Sequence, residues 1–345
     1  MTGGGTRLVE RLGALLNEWP HPTLHHPETL GHALQGLCAA GLDQLPQPGG
    51  GRTLQRWQAL ATVAAWDLSL CKLYEGHTDA LAILAHFGAQ APEHATWGMW
   101  AAEPPQARVT LMAAEQHGGS VRLHGRKAWC SGAKVLSHGL LTAWNAEGEQ
   151  QLVAVALVQP GVQITNDGWQ AVGMAATGSV EIRFDDAHGQ LIGPPGGYLA
   201  RPGFWQGGAG IAACWYGAAS RLGEALRRHC SERDEPHALA HLGHVDCALT
   251  AAASALRDCA AWIDANPTAD AELPVRRVRA IVEHRATTVI DHVGRALGAA
   301  PYCRDAVLAR LLADLPVFLR QSHAERDLAA LGVLAARQPQ ESWML

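Results

Sequence analysis

The sequence predicts an α+β multidomain protein in which a helical segment, a β-domain and a second helical segment follow one another. Three observations predict this order. Residues 53–88 are rich in Ala and Leu, and their apolar side chains recur at spacings of three and four, the period of a helix with one buried face. From Ser120 the period drops to two, in SVRLHG with Val121 and Leu123 and in SVEIRFDD with Val180, Ile182 and Phe184, as strands with one face on a core require. From about Gln206 the helical period returns, and Leu242, Val245, Leu249, Leu256, Ala260 and Ile263 form one stripe. The expected domains are 1–95, 96–205 and 206–345.

Within the first segment Gly76 is expected to separate two helices. The first fifty residues, including LPQPGGGR (residues 45–52), read as a loose helical start followed by a flexible loop. In the middle segment QLVAVALVQPGVQI is a continuous apolar run ended by Pro160 and Gly161, which suits a strand buried on both faces. In the last segment further helices are expected over 274–297, 304–320 and 322–336, each preceded by Pro, Asp, Ser or Gly. GGAGIAACWYG (residues 207–217) has a glycine spacing close to that of a phosphate-cradling turn. The strand such a turn needs is missing, since RPGFWQ is not one, so these small residues are expected to let two helices approach closely.

Composition removes several function classes. The 345 residues carry a formal net charge of -5 with 17% charged side chains, which lacks the basic excess of a nucleic-acid-binding protein. No run approaches the ~20 apolar residues of a membrane span, and the start has no apolar signal segment, so a cytoplasmic location without membrane association is expected. Eight cysteines without a CxxC pair suggest reduced, mostly buried thiols and neither a zinc site nor a disulfide framework. His21, His25, His26 and His32 lack the carboxylate or thiolate spacing of a metal site, and no metal is expected. Only three lysines occur, and the remaining cations are arginines, whose planar fork favours carboxylates and phosphates.

Four strings bring a family into view: AAEPP (101–105), HGRKAWCSGA (124–133), GMAATGSVEIRFDD (173–186) and GRALGAAPYCRD (294–305). Together with the α-β-α order they resemble the acyl-CoA dehydrogenase superfamily over most of the chain from about residue 55. That resemblance implies an N-terminal helical domain, a middle β-barrel and a C-terminal helical bundle, with FAD as cofactor and a homodimer or homotetramer as assembly. Trp129 and Ser131, two apart in a strand, are expected to share a face, where an indole packs on a flat heterocycle and a hydroxyl bonds its edge. The resemblance sets this pair against the flavin ring. It also implies that Ala102 and Met99 border cofactor and substrate, where the family has Thr and Tyr. Thr177 and Ser179 stand in a region that borders the acyl or flavin site, although a plain turn explains them equally well. Near the cofactor diphosphate, Arg295 replaces a Gln and Gly298 remains of a Gly pair; Arg295 is either a forked donor to that group or an ordinary surface arginine. Cys230 takes the place of an Arg that the family uses for the diphosphate of the neighbouring subunit.

The family's dehydrogenation needs a carboxylate base. Its commoner position falls on Ser322 here and its rarer one on Gly207 or Gly208, so both are without a carboxylate. Nearby, Ser322 to Glu325 has the S-x-x-E form of a capping box, in which the Ser hydroxyl and the Glu carboxylate satisfy the first free amides of a helix. Ser322, His323 and Glu325 are the candidate catalytic residues, Glu325 as a displaced base and His323 as a near-neutral proton donor or acceptor. Three functions follow. One is an FAD-dependent oxidoreductase acting on an acyl thioester or similar small carrier-bound substrate, with an electron-transfer partner. Another is a flavin-dependent monooxygenase or oxidase fed by a flavin reductase. The third is a flavin-free pseudoenzyme that serves as an assembly partner.

Overall fold

A computed structural model describes residues 3–19, 26–113 and 119–344. His21 and His25 lie outside the described residues. The elements run α1 (Gly3–Glu18), α2 (Pro27–Ala39), α3 (Thr53–Trp66), α4 (Leu68–His86), β1 (Trp97–Trp100), β2 (Val109–Ala113), β3 (Ser120–Cys130), β4 (His138–Trp144), β5 (Gln150–Ala156), β6 (Val162–Ile164) and β7 (Val180–Ile192). They continue with α5 (Gly197–Ala200), α6 (Gly203–Gly208), α7 (Gly210–Glu232), α8 (Pro236–Ala265), α9 (Glu272–Leu297), α10 (Ala300–Arg304), α11 (Ala306–Leu319) and α12 (Glu325–Ala335). The helical, β, helical order is the one the two periodicities predict. The chain forms two compact units, Met1–Gln47 with Ser69–Phe204, and Pro48–Leu68 with Trp205–Leu345.

In the first unit, β4, β2, β3, β7 and β5 pair in that order and β5 returns to β4, which closes a ring; β1 joins at β4 and β6 at β7. Val121, Leu123, Ile182 and Phe184 are all buried, as the two-residue period requires. Gln151, Leu152 and Val153 are buried in succession, so β5 is covered on both faces. Ala80, Ile83 and Leu84 of α4 pack with Trp97, Leu140, Leu152 and Ile192 of the sheet, and Met99 lies at the edge of this core. The helix break expected at Gly76 falls instead at Asp67, where the backbone is extended (φ -154°, ψ 122°). A glycine inside a helix costs only about 1 kcal/mol, and the packing of Ala80, Ile83 and Leu84 against Trp97 keeps α4 unbroken through Gly76.

In the second unit, the glycine-rich stretch is helix packing and not a nucleotide turn. Gly210 faces Leu60 and Trp57, and a Cβ on Gly217 would overlap the backbone of Ala61, so α7 lies directly on α3. The loop at 45–52 is not free at its end: the Asp264 carboxylate accepts from the amides of Gly51 and Thr53 and from the Thr53 hydroxyl, fixing the start of α3. α11 begins on Asp305, whose carboxylate accepts from the Val307 and Leu308 amides. All eight cysteines are free thiols, but only Cys71, Cys130, Cys214 and Cys259 are buried, and Cys247 and Cys303 are exposed. Among the described residues no helix is long and apolar enough to cross a membrane.

Candidate functional site

Trp129 and Ser131 do not share a strand face. The pairing of β3 with β7 slips between Lys127 and Cys130, and the extra residue puts Trp129 into the left-handed region at φ 56°. That conformation is uncommon for a bulky side chain and signals a constraint from its surroundings. The indole is 51% exposed, a large flat apolar surface facing outward. Ser131 lies beyond the strand in the turn that follows, its amide bonded to the Trp129 carbonyl at 3.0 Å.

This turn is held from below. Gly98 of β1 and Gly139 of β4 are register partners, and a Cβ on either would overlap the indole of Trp100. Trp100 therefore lies flat on the two glycines, and its Nε1 donates to the Ser131 carbonyl at 3.2 Å. Ala102 follows β1, half-buried.

Thr177 and Ser179 are brought to Ser131. The Thr177 hydroxyl donates to the Met174 carbonyl at 2.8 Å, Thr177 and Ser179 hydroxyls are 2.8 Å apart, and Ser179 and Ser131 hydroxyls are 2.7 Å apart. Each hydroxyl has one proton, and a carbonyl donates none. With the Thr177 proton on Met174, Ser179 must donate to Thr177, and Ser131 must donate to Ser179. The outward side of Ser131 is then lone pair only, so it accepts from a ligand N–H and cannot donate to one.

A second network was not singled out by sequence. Lys127 is fully buried, and its Nζ reaches the Thr142 carbonyl at 2.7 Å, the Thr142 hydroxyl at 2.8 Å and Glu103 Oε1 at 3.2 Å. The other Glu103 oxygen accepts from Trp144 Nε1 at 2.8 Å, and the Arg108 guanidinium covers the Trp144 ring at 3.9 Å. Burial pushes the Glu103 carboxyl up, but the Thr142 hydroxyl, the Lys127 charge and the Trp144 N–H outweigh it and hold the group below its ordinary 4.5. Stability from this carboxylate is therefore complete above pH 4.5 and is lost as pH falls through the lower folded value. Thermal unfolding between pH 3 and 6 (roughly the span in which carboxylates titrate) is expected to show a shallower acid slope for Glu103→Gln than for the parent chain. Identical slopes would remove Glu103 as its origin.

In the second unit the capping box is replaced by a different cap. Ala324 takes a left-handed φ of 46°, and α12 starts only at Glu325. Ser322 is buried and its hydroxyl accepts from the Ala324 amide at 3.1 Å, while Glu325 is exposed. The capping carboxylate is Asp327, which accepts from the His323 amide at 2.9 Å and lies 3.6 Å from His323 Nδ1. Arg276 of α9 bridges Glu272 at 2.7 Å and Asp327 at 3.5 Å. Burial pushes the Asp327 carboxyl up, but the His323 amide and charge and the charges of Arg279 and Arg276 hold it below its ordinary range. His323 is thus anchored through its backbone, with an imidazole that is 59% exposed. Arg295 is exposed and paired with Asp291 at 3.5 Å, and Gly298 ends α9 at φ 62°. Cys230 lies near the end of α7, where burial and Glu235 push its thiol up, so it carries no charge toward an anion.

Cys38, Asp43 and His77 are near enough to surround an ion. Their hydrogen bonds oppose one. His77 Nδ1 accepts from the Trp97 amide at 3.1 Å, so Nε2 holds the proton and points it at Asp43 (3.3 Å) and Cys38 (3.4 Å). A metal-bound imidazole would need the reverse, and burial pushes the Cys38 thiol up to about 12.

No protein-family model matches the chain and no curated protein matches it in sequence. Solved structures do match in three dimensions. KijD3, in complex with FMN and dTDP-3-amino-2,3,6-trideoxy-4-keto-3-methyl-D-glucose, is 21% identical with a TM-score of 0.79, over 97% of this chain and 94% of that one. The FMN-bound dibenzothiophene monooxygenase TdsC from Paenibacillus sp. A11-2 is 18% identical with a TM-score of 0.81, over 97% and 98%. The chain has the acyl-CoA dehydrogenase fold. Within that fold, the methanesulfinate monooxygenase MsuC from Pseudomonas fluorescens is a further neighbour, 18% identical with a TM-score of 0.73, over 92% and 97%.

Proposed function

We propose that this chain is a flavin-dependent monooxygenase of a small molecule, using reduced FMN delivered by a separate flavin reductase. The observation that carries the reading is the proton order in the Thr177, Ser179 and Ser131 chain, which leaves Ser131 able only to accept. Oxidised isoalloxazine offers a bare N5 lone pair, whereas the reduced ring carries N5–H. An accept-only hydroxyl beside that edge favours the reduced form. The exposed Trp129 indole supplies the flat apolar surface on which such a ring packs.

Other features support the monooxygenase over the dehydrogenase. Both usual base positions lack a carboxylate, and Glu325 is exposed at the first turn of α12. The neutral Cys230 thiol and the Asp291-paired Arg295 are poor partners for the diphosphate of FAD, which favours FMN. When bound, FMNH2 supplies both electrons, so that substrate, O2 and FMNH2 give oxygenated substrate, water and FMN. In this reading Ser131 orients the flavin edge; His323, its backbone fixed by Asp327, is proposed separately as a carrier of a proton.

Anaerobic titration with oxidised and with photoreduced FMN tests the proposal. Reduced FMN is expected to bind at least about tenfold tighter, a difference of about 1.4 kcal/mol. Ser179→Ala, which frees the Ser131 proton to turn outward, is expected to erase most of that ratio. Equal affinity for both forms in the parent chain, or binding of neither, would overturn the reading.

A further inference from the structure

Arg201 stands between two short helices of the first unit, α5 and α6, and Pro202 after it favours the extended backbone it adopts (φ -70°, ψ 141°). Its amide donates to the Gly197 carbonyl at 3.2 Å and its carbonyl accepts from the Phe204 amide at 3.0 Å, so the residue is fixed at both ends. The side chain is only 7% exposed. Its guanidinium carbon lies 5.2 Å from the centre of the Tyr198 ring, and Nη1 occupies the space that a Cβ on Gly203 would take. Phe204 meets the same Tyr198 ring edge-on at 5.3 Å, which fixes the platform. Among the described residues the guanidinium has no ion-pair or hydrogen-bond partner, and its Nε is sealed from solvent. A largely buried cation left in this state is costly, because nothing in the chain repays its desolvation. The Tyr198 hydroxyl likewise lacks an acceptor among the described residues. Burial, with the charges of Asp79 and Glu75, outweighs Arg201 and pushes the phenol up, so it keeps its proton and stays a donor.

We propose that Arg201 and Tyr198 form a subsite for a singly charged oxyanion, the carboxylate or sulfonate group of a small molecule. The proposal does not rest on the flavin chemistry above. A guanidinium presents parallel N–H bonds that match two oxygens of such a group, and the phenol adds a further donor. The surrounding charges set the preference for a single negative charge. Arg201 and Lys72 balance Asp79 and Glu75, with Lys72 holding Glu75 at 2.8 Å, so a second negative charge on the ligand meets no additional cation. A bound anion would replace the lost hydration of Arg201 and stabilise the first unit by mass action.

Sodium acetate, sodium methanesulfonate and the phosphate dianion are each titrated into the whole protein, with chloride holding the ionic strength constant. Calorimetry and the thermal unfolding midpoint read binding. Saturable binding of acetate or methanesulfonate at one site per chain is expected, with phosphate at least about tenfold weaker. Arg201→Met, which fills similar space without charge, is expected to abolish it. Arg201→Lys keeps the charge but loses the fork, and should bind at least about tenfold more weakly than the parent chain. Circular dichroism confirms the fold of each variant, and Arg201→Lys carries the test alone if Arg201→Met does not fold. Absence of saturable binding in the parent chain, phosphate binding tighter than acetate and methanesulfonate, or affinity unchanged in a folded Arg201 variant would overturn the proposal.

Discussion

His323→Ala is expected to lower the rate of oxygen transfer by about 10²- to 10⁴-fold, the usual contribution of a positioned acid or base, with little change in FMN affinity. The expectation rests on how this histidine is placed. Its amide is tied to the Asp327 carboxylate at 2.9 Å, Asp327 is tied to Arg276 at 3.5 Å, and the imidazole is left exposed rather than consumed in the cap. Asp327→Ala, which removes the acceptor of that amide, should depress the rate in the same direction. Steady-state oxygen uptake with reduced FMN and a panel of small aromatic and sulfur compounds, with product detection, measures both. Oxygen uptake and product formation unchanged in His323→Ala would remove His323 from the reaction.

Lys127→Met is expected to destabilise the first unit by about 3 kcal/mol, because removal of one partner leaves the Glu103 carboxylate largely buried without its cation. Thermal unfolding should shift down by several degrees. Adding Glu103→Gln should recover part of the loss, since an amide carries no charge to be stranded. A Lys127→Met chain as stable as the parent would mean that Thr142 and Trp144 alone satisfy Glu103.

Much of this architecture is written in local periodicity, and the exceptions have physical causes. Apolar spacing locates the strands of the barrel and the helices of the bundle because burial on one face is a local requirement. Gly76 misleads because the cost of a mid-helix glycine is small beside the packing of α4 on β1. Trp129 and Ser131 are legible as a pair but not in their orientation, since a bulge breaks the alternation that assigns faces. Ser322 and Glu325 have the letters of a capping box, yet the left-handed turn at Ala324 delays the helix, so Asp327 becomes the residue within reach. Lys127 had a signal: it shares odd parity with Val121 and Leu123 in a chain with only three lysines. An inward lysine needs an inward acid, and Glu103 lies in a segment with no periodicity to announce it.

The acceptor that sets the sense of the three hydroxyls is the carbonyl of Met174, a backbone atom on a residue with left-handed φ of 58°. No exchange of the side chain at 174 removes that oxygen. A substitution at this buried position has to fit the space around it and the same backbone turn, but it leaves the order of protons intact. Loss of the hydroxyl at 177 or 179 frees a proton to turn outward, loss of the one at 131 removes the outward acceptor, and at each position a single nucleotide change suffices. Redox preference in this lineage would then be a trait lost in one step and regained in one step, independent of the rest of the pocket.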